Sequence, residues 1–540
     1  MAANGNTAMW VAALAAIAAA CASEPLPAKR TRGGGADGAR ADLPGVVIED
    51  GAPRGAAKLF AKASGDAAAP CLVEPEPGTL FPKNWLPPRF SWIAGAGANL
   101  FELHVTVDNQ AKDLVVYTTA TSWTMPKDVW DALREHSADV PMTVAVRGAR
   151  YEGGRLHDVT ATNGGDLRIA PVDAPGSIVF WSIGSAEQSL LKGFTVGEPG
   201  VVDVLRGDSV PAKGQGARTC IGCHTSTPDG KYVAVAWEGA AGSATGVDIA
   251  RIERGTTAGP APDYVTATAT ATLAEGYPML STFSRARWAP GDRLMLTNDG
   301  PDLVWVDLEA KAPASARGVL GKVGDPNLRR LGPTWSRDGG AIVYMSGTLG
   351  ENPFELVGPS DLYVMPFADK AGATAASPAE PLRGASDPSR AEYYPALSPD
   401  DAWVAFTALP DNGSLYDNPK AEIFLVPRAG GERVRLEAND PPSCQPKRSP
   451  GLTNSWPKWA PEVKEHEGRR YYFIVFSSRR HRLTERPQLY VAPVQVDASG
   501  GVTTFPAVYL RNQESVPDWK QWGNHTPAWD VFAIEPVIVK

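Results

Sequence analysis

The sequence holds only five cysteines and seven histidines in 540 residues, so thiol or imidazole chemistry must come from a handful of positions. It has no basic run longer than a few residues, and its formal charge is −8. That balance excludes a nucleic-acid partner, which calls for a basic stripe. Gly-x-Ser-x-Gly, a phosphate-cradling glycine loop and His-Glu-x-x-His are all missing, which removes the usual hydrolase, nucleotide-binding and zinc-protease constellations. The apolar run at residues 8–20 is shorter than the roughly 20 residues a membrane-crossing helix needs.

What the chain has in quantity is the punctuation of a turn-rich β protein. Glycine (54) and proline (48) make corners, and tryptophan (16) fills the space between packed sheets. The length suits several domains with ample core.

In chain order, residues 1–21 read as an export signal, an apolar core with small residues before Cys21. Cys21 is the candidate lipidated residue of a lipoprotein signal. Two features depart from that pattern: no Lys or Arg precedes the run, and Ala18 stands where such signals usually carry Leu. Residues 22–70 are rich in Ala, Gly and Pro with few large apolar side chains, the composition of a disordered tether. Residues 71–172 contain strand-like runs at 100–107, 114–119 and 142–147. In Phe101-Glu102-Leu103-His104-Val105-Thr106-Val107 apolar and polar residues alternate, the period of a half-buried strand. A short helix is expected at 128–136. Together these predict an immunoglobulin- or fibronectin-like β-sandwich.

From residue 173 onward a unit recurs. Pro333-Thr334-Trp335-Ser336-Arg337-Asp338-Gly339 and Pro395-Ala396-Leu397-Ser398-Pro399-Asp400-Asp401 each run into an apolar strand, and Arg287 to Leu294 and Pro457 to Pro461 vary the theme. Uneven spacing puts the insertions in loops, as in four-stranded blades around an axis. The expected fold is mainly β, a sandwich followed by a β-propeller over 173–540, with six blades or, as the alternative, seven. Strands near 177 and 194 are expected to share a blade with the terminal strand through His525-Thr526-Pro527-Ala528-Trp529 and so close the ring.

These units resemble the repeats of TolB-type propellers over about residues 225–530. The order of sandwich, Cys-x-x-Cys-His and repeats resembles exported bacterial WD40-like propellers that bear a cytochrome-c-type motif. The resemblance implies export and haem, and no reaction.

The motif itself is Cys220-Ile221-Gly222-Cys223-His224, fused to the turn Thr227-Pro228-Asp229-Gly230. Its spacing is that of covalent haem c attachment, with Cys220 and Cys223 for the vinyl groups and His224 for the iron. The other readings are a disulfide-type loop, structural thiols, and zinc; zinc is disfavoured for want of a second Cys/His pair. Candidates for the opposite iron ligand are His525 and Met279, or an open position. Cys71 and Cys444 are left over, either as a disulfide or as two structural thiols. Asp411 to Asn418 reads as a solvated turn rather than a calcium loop, and Ser477-Ser478-Arg479-Arg480-His481 as a surface loop. The functional expectation is an envelope protein for electron transfer or redox sensing, with a redox or envelope partner and membrane contact only through lipid. The alternative is a haem-free propeller scaffold that binds a protein or envelope partner. A hydrolase lacks any nucleophile–base constellation.

Overall fold

The computed structural model describes residues 43–63, 70–162, 164–184, 189–207, 218–239, 245–251, 261–274, 280–320, 328–350, 355–370, 379–532 and 534. The export signal with Cys21, and Met279, therefore lie outside the described residues.

The N-terminal part is a two-sheet sandwich, one sheet of seven strands and one of three. Strand Leu100–Val107 pairs antiparallel with Leu114–Thr118 on one side and Met142–Glu152 on the other. Its alternation delivers Phe101, Leu103, Val105 and Val107 to the interior. Arg89–Ile93 in the smaller sheet sends Phe90 and Trp92 to the same core, where Trp92 meets Phe101 edge-on at 5.6 Å. Helix Lys127–His136 buries Val129, Trp130 and Leu133, and the Trp130 indole N–H donates to the Trp85 carbonyl at 2.7 Å. Truncating a fully buried tryptophan of this kind costs about 3–5 kcal/mol.

The expected tether is ordered in part. Val46–Ile48 pairs parallel with Leu114–Thr118, and helix Ala56–Phe60 lays a fully buried Phe60 against Tyr117. Arg147 covers that ring at 5.2 Å and donates to the Phe60 and Ala63 carbonyls. One well-placed aromatic residue offsets the ordering entropy of a segment whose average composition is polar.

Six up-and-down sheet units follow in series among the described residues. Ser177–Ile183, Ser189–Thr195 and Val202–Arg206 share the first with the C-terminal strand Gly523–Asp530, which pairs antiparallel with Ser177–Ile183. The second and third units begin at Arg218–Ser226 and Leu294–Asp299. A nine-stranded sheet holds the fourth and fifth, which start at Arg329–Trp335 and Ala391–Leu397 and touch at Ser360 and Ala391. The sixth starts at Ser455–Trp459. A series of meanders whose last strand joins the first sheet is a β-propeller. The recurring turn is built the same way in three units: the hydroxyls of Thr227, Ser336 and Ser398 donate to Asp229, Asp338 and Asp400 at 2.6–2.7 Å. Gly230, Gly339 and Asp401 take the left-handed position that follows.

Sandwich and propeller share one hydrophobic cluster, in which Trp92 and Trp130 belong with Phe180, Phe473 and Trp529. Arg89 donates to Glu74 and to Glu514, and Arg469 to Asp139 at 2.6 Å. Cys71 on the sandwich and Cys444 on a propeller loop form a disulfide, with their Cα atoms 6.0 Å apart across 373 residues of chain. The Cys71→Ser variant should lose about 2–5 kcal/mol of unfolding free energy in urea titrations without reductant. A midpoint equal to wild type would show that the bridge does not brace the two parts.

Candidate functional site

Cys-x-x-Cys-His lies within the inner strand Arg218–Ser226 of the second unit. Five strands of this ring share a bulge. Against their neighbours the register slips by one residue between Leu331 and Thr334, Tyr393 and Ala396, and Ser455 and Lys458. The closing strand does the same between His525 and Ala528. The two residues inside the bulge are Gly332-Pro333, Tyr394-Pro395, Trp456-Pro457 and Thr526-Pro527. The first of each pair has positive φ, 57°, 50°, 62° and 39°. For the three non-glycine residues this is a strained backbone of the kind that gathers at functional positions. The motif strand slips between Ile221 and His224, so Gly222-Cys223 occupies the same bulge.

Cys223 packs with the cluster of Leu331, Tyr394 and Trp456, toward the middle of the ring. His224 turns to the neighbouring unit: its Nε2 is 3.1 Å from the Val179 carbonyl and its Nδ1 3.2 Å from the Gly222 carbonyl. A neutral ring has one N–H, so only one of these contacts is a hydrogen bond. Burial, aided by the Lys458 ammonium, lowers the His224 pKa to about 4, so the ring is neutral at pH 7. Both ring nitrogens face main-chain oxygens, and neither is aimed at open space. A c-type haem needs the second cysteine and the histidine on one macrocycle, which the helix of a cytochrome provides and this strand does not. The residues as placed do not fit a haem iron. The Cys220 side chain lies outside the described residues.

His525 does come close to the motif. It is buried on the closing strand, with its ring 5.9 Å from Trp181, and a Cβ on Gly222 would itself touch Trp181. The Tyr416 hydroxyl lies 3.3 Å from His525 Nε2, and burial lowers the His525 pKa to about 4. Lys458 follows the bulge in the sixth unit; burial lowers its pKa while the Cys223 thiol raises it. Tyr394 stacks on Trp456 at 3.6 Å. The middle of the ring thus gathers a thiol, an amine, two tyrosines and a histidine. Tyr394 and Lys458 escaped the sequence reading, although the Pro that precedes or follows each in the repeat marks them.

Other expectations resolve simply. Asp411 pairs with Lys420, and Asp417 with Arg479, so that turn is satisfied by side-chain cations. Ser477 to His481 is not a surface loop: Ser477, Ser478 and Arg480 are buried. Arg480 is held by the Ala438 carbonyl and by Asn454, and stacks on Phe476 and Tyr490. Hydrogen bonding and ring contact offset the cost of burying its charge. Among the described residues no group of three or more His, Cys, Asp or Glu side chains could hold a metal ion. No described helix is long and apolar enough to cross a membrane.

No protein-family profile matches the chain, and no curated protein does. Among solved structures, it is similar to a TolB-assigned protein of Agrobacterium tumefaciens (14% identity, 65% of this chain and 97% of that one, TM-score 0.30). It is also similar to Kuenenia stuttgartiensis hydrazine synthase (13%, 53% and 73%, TM-score 0.29) and to an ancestral GH74 enzyme (10%, 62% and 39%, TM-score 0.36). Similarities of this size leave the ring to be read from its own strand pairing.

A histidine with a folded pKa near 4 and an unfolded one near 6.5 is protonated first in the unfolded chain. Its contribution is complete above about pH 6.5 and is lost as pH falls toward 4. His525→Phe keeps the ring packing and removes the titration. Between pH 7 and 4.5, wild type should lose roughly 2–3 kcal/mol more stability than this variant in urea unfolding. Parallel pH profiles would contradict a buried neutral His525.

Proposed function

We propose that the chain is an exported, haem-free envelope scaffold, a TolB-like six-bladed propeller braced by an immunoglobulin-like sandwich, that binds a protein or cell-envelope partner through its loops. The observation that carries this reading is the divergence of Cys223 and His224, which leaves the motif as a bulged inner strand. The Cys71–Cys444 bridge supports export, because structural disulfides persist in oxidising compartments. Cys21 would then supply the lipid that ties the protein to a membrane. A rigid ring with variable loops is a binding platform as readily as an enzyme.

The Cys-x-x-Cys-His spacing favours a second reading, an electron-transfer or redox-sensing protein with one covalent haem c and a redox partner. Cys220 and Cys223 would hold the haem, with His224 as iron ligand and His525 or Met279 opposite. That arrangement requires the His224 ring to leave Val179.

Purification from a host with haem-c maturation machinery separates the two. The scaffold reading predicts a colourless protein whose Cys220 and Cys223 peptides are alkylated after denaturation without reductant. A Soret band with sharp reduced α and β bands that survives acid-acetone extraction would overturn it in favour of the second.

A further inference from the structure

A cavity of about 270 Å3 lies between the sandwich and the propeller, near the disulfide. At roughly 30 Å3 per water it has room for about nine waters, or an organic molecule of about a dozen non-hydrogen atoms. Part of its lining is apolar surface that the fold leaves accessible. Val73, Leu86, Pro87 and Ala507 are partly exposed there, and Leu483 is exposed.

The rest of the lining carries an excess of positive charge. Arg89, Arg480, Arg482 and Arg511 line the cavity, against the carboxyl groups of Glu74 and Glu76. Glu74 is taken up by Arg89, which also binds Glu514, with N–O distances of 2.6–3.1 Å. Burial raises the Glu76 pKa to about 8, and Glu437 and Asp440 nearby push it the same way. At neutral pH this carboxyl is therefore mostly protonated and cancels no cation. Among the described residues no carboxylate lies within ion-pair distance of Arg480, Arg482 or Arg511.

These three arginines have only neutral partners. Arg480 is held by a carbonyl, an amide and two aromatic faces. Arg511, partly buried, donates its Nη1 to the Pro87 carbonyl at 2.8 Å. Arg482 is exposed, and its guanidinium has no hydrogen-bond partner among the described residues. His481, on the same wall, feels the resulting field: burial and the cations of Arg89, Arg482, Lys447 and Lys520 lower its pKa to about 3. A buried charge without a counter-ion is costly, and neutral hydrogen bonds offset only part of that cost. An anion in the cavity would offset the rest, and the guanidinium fork suits the oxygens of a carboxylate or a phosphate. A neutral guest would gain nothing from the arginines, and a bare inorganic ion nothing from the apolar lining.

We propose that this interdomain cavity binds a small organic anion, one carboxylate or phosphate group on an apolar body, whose charge is answered by Arg482 and Arg511. The site is separate from the ring centre and holds for either reading of the motif there.

Calorimetric titration of the full chain at low ionic strength with benzoate, hexanoate and phenyl phosphate, beside benzyl alcohol and inorganic phosphate, tests this. At least one of the organic anions should bind saturably, about tenfold or more tighter than both controls. Arg482→Gln should weaken that binding by about tenfold or more and melt with the wild type, because its guanidinium holds no described protein group. Arg511→Gln should weaken it as well. Arg155→Gln removes the same charge from an exposed strand position outside the cavity and should bind as wild type does. No saturable binding by any organic anion (a cavity filled by water only) would overturn the proposal. So would equal binding of benzyl alcohol or inorganic phosphate, unchanged affinity in Arg482→Gln, or an equal loss in Arg155→Gln.

Discussion

The pairing of Gly523–Asp530 with Ser177–Ile183 is the contact on which the rest of the molecule depends. It joins residues some 350 positions apart in sequence; the Trp529 indole alone reaches back 354 residues to donate to the Pro175 carbonyl. Near one end of the pairing sits Asn524, opposite Ser182. Its amide donates to Gln488 and Gln513 in the sixth unit, and its oxygen accepts from Ser182 in the first. All these groups are buried, so the amide network at this end of the closure is paired within the protein. An open ring would instead present two unpaired strand edges to solvent.

Closure also sets what the ring centre contains. It brings His525 beside Trp181 and Tyr416, and it fixes the Val179 carbonyl that His224 meets. The bulge shared by five of these strands then sets which neighbours can share a face. Cys223 sits where Pro333, Pro395, Pro457 and Pro527 sit in the other strands, and the residue after it looks outward between units. A motif that on a helix would converge on one ligand is drawn apart by the strand that carries it. The same geometry places Lys458 and Tyr394 near the thiol, with no signal in the spacing of cysteines.

Where the chemistry was local, the sequence could be read. The alternation at 101–107, the helix with Trp130 and Leu133, and the Ser-x-Asp turns rest on residues within a few positions of each other, and the structure has all three. The closing strand was legible too, because its Pro-Ala-Trp repeats the pattern of the inner strands. Features set by distant partners were hidden. Val46–Ile48 is ordered by a strand almost 70 residues on, Arg480 is buried by carbonyls some 40 residues back, and the carbonyl that His224 meets lies 45 residues before it. The interdomain cavity has no sequence signature at all, since its lining comes from both parts of the chain.

Native-state hydrogen exchange followed by mass spectrometry measures the closure directly. Peptides covering residues 523–530 and 177–183 should exchange together and as slowly as the core strand Arg469–Ser478, since ring closure makes the terminal strand part of the global unfolding unit. Fast exchange at 523–530, with slow exchange at 177–183, would contradict the closed ring and the placement of His525 that depends on it.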